Sequence, residues 1–133
     1  MDEETAVIQV LVDYYAAFST LDVLAVLPYF HEPSVVIGPQ GVFAAPTCAV
    51  LTTVFTPAME DLRARGFGRS ELSARNVKSL SATAALVTGV AIRYEVDGQE
   101  LERVGVTYVL HKVDTLWKIA VLIVHDANDV APA

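Results

Sequence analysis

The sequence predicts an α+β fold in which three helices precede an antiparallel sheet. Three observations support this prediction. Apolar residues in the first half recur at helical spacing, the second half is rich in β-forming residues, and the links between its strands are too short for parallel crossovers. With 133 residues, 53% of them hydrophobic, the chain is long enough to bury one core. We therefore expect a single domain over residues 1–133, with a short tail from about residue 127.

The first helix is predicted by an apolar stripe near the N-terminus. Its members fall at i, i+3, i+4, i+7 and i+11, and they are Val7, Val10, Leu11, Tyr14 and Phe18. Acidic residues at positions 2 to 4 suit the positive N-terminal end of a helix. After the polar break Ser19-Thr20, the segment from Leu21 to Tyr29 predicts a second, short helix.

A short strand and a third helix follow. Pro28 and Pro33 bracket the turn into a strand over Ser34 to Ile37, which ends at Gly38-Pro39. The third helix is predicted from Thr47 to a left-handed stop at Gly66. Its apolar face holds Leu51, Phe55, Ala58, Met59 and Leu62.

Pro57 lies inside this third helix. Its ring removes the hydrogen bond to the carbonyl four residues back, so we expect a kink there, unless Thr56 caps a new helix start.

The second half predicts a meander of four antiparallel strands. The strands are predicted at Ser70–Leu80, Ala84–Tyr94, Leu101–Lys112 and Trp117–Asp126. Asp97-Gly98 is the strongest turn signal between them and predicts a hairpin.

Composition excludes several classes of function. The net charge of −7 would repel a phosphate backbone, so we expect no nucleic-acid partner. The longest apolar run, Ile119 to Val124, is far too short to span a bilayer, so we expect no membrane partner. The acidic N-terminus lacks the pattern of a secretory signal, and Cys48 has no second cysteine to pair with. Together these features predict a cytoplasmic location.

Both alternating faces of the last two strands are largely apolar. Val109 and Leu122 are predicted on the face toward the helices, and the opposite face would carry Val104, Val106, Tyr108, Ile119, Val121 and Ile123. Three helices cover only one face of a sheet, and an uncovered apolar face is costly in water. We therefore expect a homodimer through the outer, convex face.

The order of these elements resembles the nuclear-transport-factor-like fold. The motifs that carry the resemblance are Tyr14-Tyr15-Ala16-Ala17-Phe18, Phe30-His31-Glu32-Pro33 and the Trp117-Lys118-Ile119 opening of the last strand. This superfamily includes SnoaL-like polyketide cyclases, ketosteroid isomerases, scytalone dehydratase and limonene epoxide hydrolase. The stretch from Ile37 to Val42, with Leu101-Glu102-Arg103 and His125-Asp126, resembles more closely a bacterial subfamily without an assigned function.

The resemblance implies a pocket between the concave face of the sheet and the helices. Carried over from the isomerases, the oxyanion-hole tyrosine falls at Tyr14. The general base of those enzymes falls at about Gly38, and their protonated acid falls at Val109 or, with a shifted turn, at Thr107. None of these three residues is a carboxylic acid, which disfavours ketosteroid isomerisation.

The predicted pocket lining follows from strand parity and the helix faces. It comprises Tyr14, Leu51, Phe55, Met59, Val90, Ile92, Tyr94, Arg103, Thr107, Val109, Leu122 and Asp126. Tyr14 is either a hydrogen-bond donor to a ligand or a core aromatic. Asp126 is either a base of raised pKa or a solvated residue past the strand end. Arg103 either faces an anionic ligand or lies on the surface.

The remaining polar residues give fewer indications of a catalytic or binding role. His31, beside Glu32, is either catalytic or a turn residue, and the parity of His125 places it on the convex side. No spacing of His, Cys or carboxylates typical of a metal site occurs, and neither does a phosphate-binding glycine loop. We expect no metal and no cofactor.

Two functional hypotheses remain. The first is a SnoaL-like protein that binds a small, mainly apolar organic molecule, with Asp126 and Tyr14 as a base and donor pair if it is a cofactor-independent lyase, isomerase or hydrolase. The second is a non-catalytic ligand-binding or dimerisation module.

Overall fold

The computed structural model describes residues 2–129, with the backbone alone at Ala74 and Asp129. The helices are α1 (Glu3–Phe18), α2 (Val23–Val26) and α3 (Thr52–Ala64). The strands are β1 (Phe30–Gly38), β2 (Gly41–Ala45), β3 (Phe67–Ser81), β4 (Ala84–Glu95), β5 (Glu100–Val113) and β6 (Leu116–His125). Short 3-10 turns lie at Leu27–Tyr29, Cys48–Leu51 and Ala127–Asp129. The α+β fold is therefore confirmed; of the predicted tail, residues 130–133 lie outside the described residues.

Helix α1 has the predicted amphipathic form. The Asp2 carboxylate accepts a hydrogen bond from the Thr5 amide at 2.7 Å and so caps the first turn. Apart from Val10, which is half-buried, the members of the predicted stripe are buried, and Tyr15 is buried beside them. Hydrophobic burial along one side therefore fixes the helix on the sheet.

The second helix is shorter than predicted. Helix α2 ends at Val26, and a 3-10 turn that contains Pro28 replaces its second half. Pro28 has no amide N–H to donate to the carbonyl of Leu24, four residues back, which accounts for the early end. Helix α3 by contrast runs through Pro57 without a new start at Thr56, and Gly66 follows it with φ of +84°, the left-handed stop expected there.

The sheet has six strands in the order β2-β1-β6-β5-β4-β3. Strands β3 to β6 form the predicted antiparallel meander, with Gly98 at φ of +95° in the hairpin turn. Strand β2, which sequence analysis did not predict, pairs antiparallel with β1, and β1 runs parallel to β6. None of the described helices is long and apolar enough to cross a membrane.

The helices pack on one face of this sheet, which we call the cavity face. In the last three strands this face includes Ala91, Arg93, Val106, Tyr108, Leu122 and Val124. Side chains alternate along a strand, so the residues between these lie on the opposite, outer face, and they include Val90, Ile92, Thr107, Val109, Val121 and Ile123. The predicted assignment of Val104, Val106 and Tyr108 to the outer face is therefore wrong.

A bulge in β6 explains a separate error, the predicted place of Ile119 on the outer face. Val109 pairs with Val121, but the next residue, Leu110, pairs with Ile119, so Ala120 is an extra residue in β6. The extra residue reverses the alternation, and Ile119 is fully buried with Leu122 rather than on the outer face.

Candidate functional site

A cavity of about 130 Å³ lies between α1, α3 and the cavity face. The helices contribute Tyr14, Tyr15, Phe18, Val54, Phe55 and Ala58 to its wall, and the strands contribute Ser70, Ala91, Arg93, Val106, Tyr108, Leu122 and Val124. Most of the wall is apolar, and its polar groups are three tyrosines, one arginine and one serine.

Tyr14 lies at the centre of a cluster of aromatic rings that includes Phe30 and Tyr108. Its ring lies 5.5 Å from that of Phe30 and 6.3 Å from that of Tyr108, both in edge-to-face geometry. The side chain is 4% exposed, and its hydroxyl makes no hydrogen bond to another of the described residues. This hydroxyl is therefore a free donor at the wall of the cavity.

Tyr15 and Tyr108 form a second polar group there. Their hydroxyl oxygens are 2.7 Å apart, so one hydroxyl donates to the other, and one hydroxyl proton of the pair stays free. Burial raises the pKa of Tyr15 to about 12 and holds the pKa values of Tyr14 and Tyr108 well above the ordinary value. All three tyrosines are therefore protonated at neutral pH and can donate hydrogen bonds.

Among the described residues that line the cavity, Arg93 alone is charged. Its Nη1 donates to Glu102, its guanidinium lies 5.8 Å from the centre of the Phe18 ring, and its Nε is buried without a hydrogen-bond partner. A buried donor without a partner costs free energy, which an acceptor supplied by a ligand would recover.

Glu102 holds Arg93 in place. Its carboxylate also accepts from Arg65 at 2.5 Å, and Arg65 in turn pairs with Asp61 at 3.1 Å. Burial works to raise the pKa of Glu102, but the hydrogen bonds from Arg65 and Arg93 outweigh it and hold this pKa below 4.5. The chain of ion pairs connects α3 with β4 and β5 beside the cavity.

A family model described as NTF2-like protein (DUF6841) matches residues 2–127. The chain belongs to this NTF2-like family. The family resemblance found in the sequence is thereby confirmed. No curated protein sequence matches this chain.

Solved structures of the same fold share little sequence with this NTF2-like protein. A cystatin-like protein of unknown function from Nostoc punctiforme has a TM-score of 0.78 at 17% identity, covering 98% of this chain and 92% of that chain. An NTF2-like protein from Novosphingobium aromaticivorans has a TM-score of 0.77 at 10% identity, covering 97% of this chain and 84% of that chain. A ketosteroid isomerase-like protein from Erwinia carotovora has a TM-score of 0.68 at 20% identity, covering 94% of this chain and 97% of that chain. These similarities establish the fold alone.

The NTF2-like structure brings only part of the predicted lining together. Tyr14, Phe55 and Leu122 line the cavity, whereas Leu51 and Met59 are buried in the core outside its wall. Six predicted residues are instead on the outer face, and they are Val90, Ile92, Tyr94, Arg103, Thr107 and Val109. Their parity in β4 and β5 was predicted one residue out of phase, and a shift of one residue exchanges the faces.

Asp126 is also outside the cavity. It is exposed past the end of β6, where its carboxylate accepts from the Asn128 amide at 2.8 Å, so the predicted pair of Asp126 and Tyr14 is not assembled. Arg103 pairs with Glu100 at 2.5 Å. His125 lies on the outer face, as predicted, with its Nε2 2.9 Å from the Thr107 hydroxyl.

Sequence analysis missed Arg93, Tyr15 and Tyr108. A signal for Arg93 was present, because Arg93 and Glu102 each lie four residues from the Asp97-Gly98 turn. A two-residue hairpin would place such residues opposite each other. Strands β4 and β5 do pair them, but through a longer loop, in which the Glu95 amide donates to the Gln99 carbonyl, and a bulge between Arg93 and Tyr94. The two tyrosines had no comparable signal, since their hydroxyls are 93 residues apart in the sequence.

Proposed function

We propose that this protein binds a small, mainly apolar molecule that carries one oxygen acceptor, in the cavity between α1, α3 and the sheet. The observation that carries this proposal is a set of hydrogen-bond donors in an otherwise apolar wall, namely Tyr14, the Tyr15–Tyr108 pair and Arg93. A cavity of about 150 Å³ in another protein holds benzene. The volume of about 130 Å³ here therefore suits one small ring, and a short substituent can extend toward the open side of the cavity at the exposed Ala58.

The charges of the wall favour a carbonyl or a phenolic oxygen as the acceptor. Arg93 is already paired with Glu102, so its charge is largely compensated, and it retains further N–H groups. The tyrosines keep their protons because their pKa values are raised. The site thus offers donors to a ligand oxygen and little uncompensated positive charge.

Ligand binding is favoured over catalysis by proton abstraction. Aspartate, glutamate and histidine do not occur among the described residues of the wall, and a protonated tyrosine is no base at neutral pH. A lyase or isomerase mechanism would need a base that these residues do not supply. We therefore favour the non-catalytic ligand-binding hypothesis, and a cytoplasmic location, expected from the sequence, belongs to the same proposal.

A matched pair of probes tests the role of the donors. Acetophenone carries a carbonyl oxygen, and α-methylstyrene has the same shape with a methylene group in its place. We expect calorimetry to show tighter binding of acetophenone, and Tyr14→Phe to weaken it by about 2- to 12-fold, the value of one hydrogen bond. Binding of α-methylstyrene should stay unchanged.

Controls separate the donor from the packing. Tyr29 contacts the Tyr14 ring at a centroid distance of 6.3 Å but does not line the cavity, so Tyr29→Phe should bind both probes like the wild type. Ala58→Trp, at an exposed position of the wall, should block both. Equal binding of acetophenone by wild type and Ala58→Trp would refute the proposed site.

We also propose that a second copy of the chain covers the outer face. Apolar side chains from neighbouring strands meet there, with Val35 beside Val121, Ile37 beside Ile123, and Val109 beside Val121. All of them are half-buried in the single chain, so further burial on association is favourable. A twofold dimer pairs such a patch with itself. Sedimentation at micromolar concentration should give twice the chain mass of 14.3 kDa.

A further inference from the structure

We propose that His31 and His111 form a binding site for a divalent transition metal, with zinc as the best fit. The two residues are 80 positions apart in the sequence, on β1 and β5. Their rings lie 5.2 Å apart at an interplanar angle of 77°, and His31 Nε2 is 3.4 Å from His111 Nδ1. The site is separate from the cavity, whose wall contains neither histidine.

The hydrogen bond made by His31 Nδ1 decides whether His31 Nε2, the nitrogen nearer to His111, carries a proton or a lone pair. His31 Nδ1 is 2.9 Å from the carbonyl oxygen of Pro33. A carbonyl only accepts, so Nδ1 carries the proton and donates, and Nε2 of the neutral ring is left with its lone pair. Histidines that bind metals are oriented in this way, with the second ring nitrogen donating to a backbone carbonyl or a carboxylate.

The separation of the two nitrogens suits a shared metal. Two nitrogens bound to tetrahedral zinc at about 2.0–2.1 Å lie about 3.4 Å from each other. The observed 3.4 Å matches this value and is longer than an ordinary hydrogen bond. A metal held between the rings would replace a weak contact by two bonds.

A second cavity, of about 530 Å³, is lined by His31, Glu32 and Lys118 and leaves room for an ion beside the His31 ring. His111 is exposed and His31 is half-buried. The ammonium of Lys118, which is the strand partner of His111, donates to the Pro28 carbonyl at 2.5 Å. The Glu32 carboxylate accepts from the Cys48 amide at 2.6 Å. Since no group of three or more ligating residues occurs among the described residues, water completes the coordination.

The experiment titrates the full-length chain, without a histidine tag, with zinc chloride at pH 7.5. Calorimetry measures the affinity, and NMR of the imidazole nitrogens identifies the ligands. We expect one zinc per chain, with shifts of the His31 and His111 ring nitrogens. His111→Ala, at an exposed position, should weaken binding at least about tenfold.

His125→Ala is the matched control, because His125 is the third histidine of the chain and bonds to Thr107 instead. It should bind zinc like the wild type. Absence of saturable binding in the wild type would overturn the proposal, and so would equal affinity in the wild type and His111→Ala. Because the NMR readout uses the wild-type chain, the test stands even if His111→Ala fails to fold.

Discussion

The cavity face and the outer face of the sheet are built from the same strands and from similar apolar residues, yet they differ in what covers them. Helices α1 and α3 cover the cavity face, where Val106 is 3% exposed and Tyr108 is 2% exposed. On the outer face Val109, Val121 and Ile123 stay half-buried. The apolar character of a strand therefore does not reveal its function, since the elements packed on each face decide it.

The polar groups sharpen this contrast. On the cavity face, Arg93 and the tyrosines lie inside a wall of apolar residues, where each donor has high energetic value. On the outer face, Arg103 forms an ion pair with Glu100 at the exposed end of the sheet. Exposed pairs of this kind contribute little. The ligand site is thus expected on the cavity face and an association surface on the other.

A lysine placed on each face should give the largest difference. Val106→Lys buries a charge without a partner, so we expect the free energy of unfolding to fall by about 3 kcal/mol or more. Val121→Lys should keep the fold within about 1 kcal/mol but dissociate the dimer. Urea denaturation at low protein concentration and sedimentation measure the two effects. If both variants lower the free energy of unfolding equally, or if Val121→Lys remains a dimer, the proposed difference between the two faces is contradicted.

Two tyrosine variants compare the donors within the cavity face. Tyr108→Phe leaves the buried Tyr15 hydroxyl without its partner, so the free energy of unfolding should fall by about 1–3 kcal/mol. Tyr14→Phe removes a hydroxyl that has no partner among residues 2–129, so the loss should stay below about 1 kcal/mol. Thermal and urea unfolding should rank them in this order. The reverse order would show that the Tyr14 hydroxyl is structural.

A pH series tests the ion pair that holds Arg93. The pKa of Glu102 is below 4.5 in the folded chain, so the unfolded chain takes up the proton first as the pH falls. The stabilisation by Glu102 is therefore complete above pH 4.5 and is lost as the pH falls through the folded pKa. The free energy of unfolding of the wild type should exceed that of Glu102→Gln by about 1 kcal/mol or less at pH 6, and this difference should shrink as the pH falls below 4.5. A constant difference across this range would contradict the assigned pKa.

Much of the fold could be predicted from local sequence signals. The spacing of Val7, Leu11 and Phe18 predicted α1, Gly66 predicted the end of α3, and Asp97-Gly98 predicted the β4–β5 turn. Each of these signals acts within a few residues. Strand β2 was not predicted because its five residues, Gly41–Ala45, follow Gly38-Pro39, a turn signal that marks the end of a strand equally well whether or not a second strand pairs back on it.

The face of each strand could not be predicted in the same way. In β4, Val87 and Ala91 alternate with Val90 and Ile92, so both faces look equally apolar. In β6 the extra residue Ala120 reverses the alternation, and nothing in its sequence marks the bulge. Strand β5 is likewise apolar on both sides, with Val104 and Val106 on one face and Val109 on the other. The site prediction failed at Arg103, Thr107 and Val109 because the helices packed on one face, rather than the strand itself, distinguish the faces.

The central claim, that ligands bind at the cavity face, is tested most directly by methyl NMR of the full-length protein during an acetophenone titration. The structure provides neighbouring reporters on opposite faces, with Leu122 and Val124 in the cavity wall and Val121 and Ile123 on the outer face. We predict saturable shifts at Leu122, Val124 and Val106, with Val121 and Ile123 nearly unchanged. Shifts confined to Val121 and Ile123, or no saturable shift at the cavity methyls, would contradict the assignment of this cavity as the binding site.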